Sequence, residues 1–278
     1  MRTRDPEQLR AIARELRVSI LRTIHHAASG HTGSSLSCID LLTCLYFAEL
    51  RHYPFQPDWP ERDRFVLSKG HAAPALYAVL HRWGYITSED LAQLRQLASI
   101  TQGHPDSRRC PGVEASTGSL GQGLSVGHGM ALALRGQAQR VYVLLGDGEL
   151  QEGQIWEAAM SAAHFRSANL CAIVDANRLQ IDGLVAEIMN VEPIAAKFVA
   201  FGWNALEIDG HDVEQILRAL EQARATTDKP TVIVARTIKG KGVSIFENKV
   251  EWHGKAPNAA QLERALRELG EPPTAAAP

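Results

Sequence analysis

Four short apolar runs at 141–145, 170–175, 203–208 and 231–235 constrain this chain more than any other feature, because each is separated from the next by a segment of helical pattern. Runs of β-branched and apolar residues that stop at Gly or Asx read as buried strands, whereas 154–165, 193–201 and 213–225 carry apolar residues at helical spacing. Strands joined by helices of that length must run parallel, and a parallel sheet has to be covered on both faces. The fold class expected is therefore α/β, a parallel sheet with helices on both faces. Before residue 120 the pattern is helical instead, with helices expected over 6–28, 37–50, 72–83 and 88–97. Ser37 followed by Asp40 is read as a capping box at the start of the second of these. A glycine-rich helix is expected at 120–134, its glycines serving close packing beside the loop before it. The domain division expected is one unit over 1–270 and a disordered tail, EPPTAAAP, over 271–278.

In open parallel sheets ligands bind beyond the carboxyl ends of the strands. Two such ends carry polar residues here. The run 141–145 stops at Gly146-Asp147-Gly148, and the run 170–175 is followed by Ala176-Asn177-Arg178-Leu179. Glycines on either side of Asp147 remove side-chain bulk and let backbone approach a ligand. If the two strands are neighbours, the Asp147 carboxylate and the Asn177 amide oxygen converge. Such hard oxygens suit Mg²⁺ or Ca²⁺, with phosphate oxygens completing the shell. A Gly-Asp-Gly alone is a common turn, and an Asx after a strand often only caps a helix. The conjunction of both at this separation is what points to a metal that holds a diphosphate.

That conjunction resembles the cofactor motif of thiamine diphosphate enzymes, and further segments narrow the likeness. SGHTG (29–33), SKGHAAPALY (68–77), GHPD (103–106), TGSLGQGL (117–124), GDGELQEGQIWEA, DANRLQIDG (175–183), TIKGKG (237–242) and EWHG (251–254) look like the successive signature segments of transketolase, in order. The resemblance implies that Asp147, Asn177 and the carbonyl of Leu179 bind a divalent metal, Mg²⁺ with Ca²⁺ or Mn²⁺ as substitutes. It implies that Gly118, Ser119, Leu120 and Gly148 line thiamine diphosphate and that His71, Lys239 and His253 face its diphosphate, beside Asn177. His31, His71, His104 and His253 would form a histidine cluster that contacts substrate hydroxyls and moves protons, a task for which a pKa near neutrality is suited. The chain departs from the family pattern at Thr32, where proline commonly follows the first of those histidines.

The resemblance covers the diphosphate-binding domain only; the glutamate and aromatic residues that serve the cofactor's pyrimidine ring normally come from a second domain. The expected function is thus the N-terminal subunit of a split transketolase, transferring a two-carbon ketol unit from a ketose or its phosphate to an aldose. It would act only with a C-terminal partner subunit, in an α₂β₂ heterotetramer, with Glu152 near the subunit junction. A transketolase-like synthase of a specialised pathway is an alternative. So is the α-type subunit of a 2-oxoacid dehydrogenase, although those chains lack the histidine segments. A formal net charge of −2 with no block of like charges gives no footprint for nucleic acid or an anionic membrane. Cys38, Cys44, Cys110 and Cys171 show no CxxC spacing and are read as reduced packing thiols of a cytoplasmic protein. No GxxxxGK[ST], HExxH or GxSxG motif occurs.

Overall fold

In the computed structural model, which describes residues 2–271, the chain builds one five-stranded parallel sheet with helices on both faces. Residues 272–278, most of the expected tail, lie outside the described residues. The elements in chain order are α1 (Pro6–His26), α2 (Thr32–Ser37), α3 (Ile39–Cys44), β1 (Arg64–Leu67), α4 (Ala73–Trp83), α5 (Ser88–Ala92) and α6 (Gln122–Ala133). They continue with β2 (Val141–Gly146), α7 (Gly153–His164), β3 (Leu170–Ala176), a two-residue hairpin of β4 (Leu179–Gln180) and β5 (Gly183–Leu184), α8 (Val185–Ile188) and α9 (Ile194–Ala200). The last are β6 (Asn204–Asp209), α10 (Val213–Ala225), β7 (Thr231–Arg236) and α11 (Ala259–Glu268). The sheet order is β1-β2-β3-β7-β6.

Alternation along the strands feeds two cores. Phe65, Leu67, Tyr142, Leu144, Cys171, Ile173 and Ile233 join α1, α3, α4 and α10 in one cluster. Their neighbours Val66, Val141, Val143, Leu145, Ala172, Val174 and Val234 join α6, α7 and α9 in the other. The register β2–β3 pairs Gly146 with Asp175, so the two strands end together. The glycines of α6 allow helix and sheet to touch: a Cβ at Gly127 would lie 2.4 Å from Val143, and one at Gly123 would lie 2.4 Å from the Ser68 Cβ.

The structure corrects four expectations in the N-terminal half. Residues 64–67 form β1, a four-residue edge strand whose hydrogen-bonded partner, β2, lies far along the chain. A run that short carries too little periodicity to announce itself among helices. The helix expected over 37–50 is broken: α2 ends at Ser37, α3 runs from Ile39 to Cys44, and a π-helical turn takes over at Leu45–Glu49. Ser37 and Asp40 form no capping box. Ser37 Oγ donates to Asp175 at 2.5 Å, while Asp40 pairs with Arg17 at 2.6 Å and His211 at 2.8 Å, because tertiary partners outcompeted a local cap. The helix expected over 88–97 stops at Ala92, and Arg95 sits beyond it with φ 64°.

Candidate active site

Asp147 follows the last residue of β2 and opens a 3₁₀ turn, Gly148–Gln151. Its Oδ1 accepts from the Gly148 N–H at 2.8 Å and its Oδ2 accepts from the Arg178 N–H. The side chain is almost wholly buried, and no lysine, arginine or histidine among the described residues forms an ion pair with it. Burial, and then the neighbouring Asp175 charge, push its carboxyl up to about 6.

Asn177, beyond the end of β3, is fixed by its surroundings. Its Nδ2 faces Asp175 Oδ2 at 3.4 Å and Ser37 Oγ at 3.5 Å, while its Oδ1 accepts from the Leu179 N–H at 3.0 Å. The Leu179 carbonyl in turn accepts from Lys239 Nζ at 3.0 Å. Asp147, Asn177 and Leu179 line one cavity of about 280 Å³, together with His71, Leu120, Gly148, Glu152, Lys239 and His253. Among the described residues no group of three His, Cys, Asp or Glu side chains is placed to hold a metal. This cavity instead offers one carboxylate, one amide and one backbone carbonyl, all hard oxygens. A buried carboxylate that makes no direct ion pair among the described residues fits a site whose counter-charge comes from a bound ion. Lys69, Lys239 and two imidazoles on the same walls suit the opposite need, a polyanion.

Three of the four expected histidines meet. The rings of His31 and His71 are 5.2 Å apart, those of His31 and His253 5.5 Å, and those of His71 and His253 5.3 Å. His104 stands outside this triangle. It is exposed and packs on Gly118, where a Cβ would lie 2.9 Å from the ring. Gly118 is wedged between that ring and Gly70, at which a Cβ would lie 2.7 Å from the Gly118 nitrogen. Gly118 and exposed Ser119 are not among the residues lining the cavity, whereas Leu120 is. Glu152 is exposed at the rim, and its carboxylate makes no hydrogen bond to the described residues.

The surroundings move the three rings away from the near-neutral range usual for histidine. Burial, followed by Arg95 and other positive neighbours, pulls His31 down to about 4. Burial and then Lys239 pull His253 down to about 3, and burial with Lys69 pulls His71 well below its ordinary value. Lys239, whose Nζ lies 2.8 Å from His253 Nδ1, is itself lowered to about 8 by burial and by Lys69. All three histidine shifts favour the uncharged imidazole.

The sequence reading passed over two residues that the fold brings to the site. Lys69 is fully buried; its ammonium donates to Asp175 and to the Ser34 carbonyl, and it lines the cavity. Asp175, also fully buried, accepts from Lys69, Ser37, Thr237 and Asn177. Their attraction overrides burial, which keeps the carboxyl low and the ammonium high. Recognising β1 would have shown that Lys69 lies just past a strand tip, as Asp147 does. Thr32 is buried, and its Oγ1 donates to the Lys255 carbonyl at 2.7 Å, a tie between the His31 and His253 segments that proline cannot make. A wider cleft of about 760 Å³ beyond β6 and β7 shares Asn177 and Leu179. Its Arg236 is paired with Glu192 and Glu207 and its Lys241 with Glu247, so these two cations are met within the chain.

Residues 8–276 match a family model described as "Transketolase, thiamine diphosphate binding domain". One of the named subunits of the apulose-4-phosphate transketolase of Phocaeicola vulgatus is 43% identical over 267 residues, covering 95% of each chain. The 6-deoxy-6-sulfo-D-fructose transketolase subunit SqwG of a Clostridium species is 44% identical, over 92% of this chain and 94% of its own. The crystal structure of Campylobacter jejuni transketolase superposes with a TM-score of 0.91 at 39% identity, covering 96% of this chain but 43% of that one.

Proposed function

The chain belongs to the transketolase family through its thiamine diphosphate-binding domain, and from that premise we propose that it is the N-terminal subunit of a split transketolase. It moves a two-carbon ketol unit from a ketose or ketose phosphate to an aldose once a second polypeptide completes the site. The observation that carries this reading is one of extent. The chain matches the Phocaeicola vulgatus transketolase subunit over 95% of that protein's length, yet spans only 43% of the single-chain enzyme with the same fold. Its cavity also has an exposed rim, with Ile181 63% exposed and Glu152 free to meet a partner side chain. An α₂β₂ assembly in the cytoplasm is the arrangement we favour. The four unpaired cysteines accord with a reducing compartment, and no helix among the described residues is long and apolar enough to cross a membrane.

Asp147, Asn177 and the Leu179 carbonyl would hold Mg²⁺, or Ca²⁺ or Mn²⁺ in its place. Lys239, His71 and His253 would meet the diphosphate of thiamine diphosphate, and the backbone of Gly118 to Leu120 and of Gly148 would border it. The bound cofactor supplies carbanion stabilisation. This chain's residues supply position and donors. Asp175 and Ser37 aim the Asn177 amide, and Lys239 orients the His253 ring through Nδ1. His31, His71 and His253 present neutral imidazoles to the sugar's oxygens, with His104 serving from the Gly118 side. Glu152 would reach the partner's acidic residue.

A second reading concerns the donor. Two relatives are named for apulose 4-phosphate and 6-deoxy-6-sulfo-D-fructose, so an uncommon ketose of a specialised pathway is the substrate class to screen beside the common sugar phosphates. The test is reconstitution. The purified chain with thiamine diphosphate and Mg²⁺ should be inactive, and addition of a C-terminal transketolase subunit from the same genome should switch on ketol transfer. Full activity of the chain alone would end the proposal.

A further inference from the structure

Of the three rings in the histidine triangle, His31 has the most decisive neighbour. Its Nδ1 lies 3.3 Å from Nη2 of Arg95. A guanidinium has five N–H donors, no acceptor and a proton it does not lose. The His31 Nδ1 must therefore accept, which leaves the ring's single proton on Nε2. Arg95 is held for this contact. Its Nη1 donates to Ser29 Oγ at 3.1 Å, and its backbone takes the left-handed conformation at φ 64° with its N–H donating to the Thr101 carbonyl at 2.9 Å. Gly103 lies against the guanidinium, where a Cβ would stand 3.3 Å from Cζ. The Arg95 Nε is buried without a hydrogen-bond partner, a cost that an arginine placed for solubility would not bear. On the far side of the imidazole, the residue beside Nε2 is Gly254, where even a Cβ would stay 3.8 Å away, so no side chain at that position covers the N–H.

We propose that Arg95 is a positioning residue for the transfer reaction: it locks His31 in the Nε2–H tautomer, so that the ring presents a hydrogen-bond donor, not a base, to an oxygen of the sugar on the His253–Gly254 side. The groups around His31 agree. Arg95, His104, Lys239 and Lys69 surround it, with the rings of His71 and His253 in contact and no carboxylate among them. The substrate part of the inference rests on the transketolase reading; the tautomer does not, and the experiment separates the two.

The chain is labelled with ¹⁵N-histidine, and the His31 signals are assigned by their loss in His31→Gln. Long-range ¹H–¹⁵N correlation spectra are then followed from pH 8 to pH 5. His31 should appear as the uncharged Nε2–H form throughout. In Arg95→Met the two tautomers should mix and the protonation midpoint rise by about one pH unit. Arg95→Gln keeps a donor for Nδ1 without the charge, so it should keep the tautomer and raise only the midpoint; it also serves if the methionine variant does not fold. An Nδ1–H signal for His31 in the unaltered chain, or a His31 spectrum indifferent to both substitutions, overturns the proposal. In the assembly with its partner, Arg95→Met should lower kcat/KM for the ketose about 10- to 100-fold, with Arg95→Gln recovering most of it. An unchanged value refutes the substrate role. If the unaltered assembly transfers no ketol unit, the functional reading fails, while the spectra still decide the tautomer.

Discussion

Replacing Lys69 by methionine should destabilise the chain by about 3–5 kcal/mol, the range for removing one partner of a buried ion pair. The ammonium and the Asp175 carboxylate have side chains 1% and 0% exposed, so neither can turn to water when the other is lost. After the substitution Asp175 keeps the hydroxyls of Ser37 and Thr237 and the Asn177 amide, but no cation. Against a typical total of about 5–15 kcal/mol, the loss is a large share of the stability. Urea unfolding should show it as a lower midpoint with an unchanged slope. Asp175→Asn strands the ammonium instead and should cost a similar amount. The double variant Lys69→Met/Asp175→Leu removes both charges and should lose less than the sum of the single changes, a coupling of roughly 1–3 kcal/mol. Because Asp175 also aims Asn177, the single variants should weaken Mg²⁺-dependent cofactor binding about 10- to 100-fold in calorimetry. A loss below about 1 kcal/mol for Lys69→Met, or strictly additive single changes, would refute the view that this pair is a tightly coupled buried charge pair.

Asp147→Ala should abolish the rise in melting temperature that Mg²⁺ plus thiamine diphosphate gives the unaltered chain, and EDTA should reproduce that loss without mutation; a retained ligand shift would remove Asp147 from the metal site. Acid should destabilise the ligand-free protein. His31 and His253 are held at about 4 and about 3 and His71 also low, so the unfolded chain binds more protons once pH drops below the ordinary histidine value near 6.5, and stability falls from there toward pH 4 by on the order of 1 kcal/mol or more per pH unit. Asp147, pushed up to about 6, opposes this with a single proton; denaturant midpoints that hold constant between pH 7 and pH 5 would contradict the depressed values. Gly70→Ala should cost about 1–3 kcal/mol by overpacking, since its Cβ would meet the Thr117–Gly118 backbone at 2.7–2.8 Å; cofactor affinity should fall with it, and a neutral result in both readouts would show that the loop gives way freely.

What could be read from the chain alone follows from local physics. Strong periodicity placed β2, β3, β6 and β7 and the main helices between them, and α10 runs over the 213–225 that its apolar spacing predicts, with the structure adding an Asp212 cap at its start. Asp147 and Asn177 were legible only in conjunction, each just beyond an apolar run at the separation of neighbouring strands, and the motif order supplied the family. What the sequence left open was whatever depends on partners distant along the chain. β1 exists because β2 offers it a hydrogen-bonded edge, 77 positions later in register from Arg64 to Val141. Only the fold shows that Lys69 meets Asp175 across 106 residues and Arg95 meets His31 across 64. Only the fold sets the titration of the histidines, since a pKa is decided by burial and by the charges that tertiary packing brings alongside, and neither is written at the histidine itself.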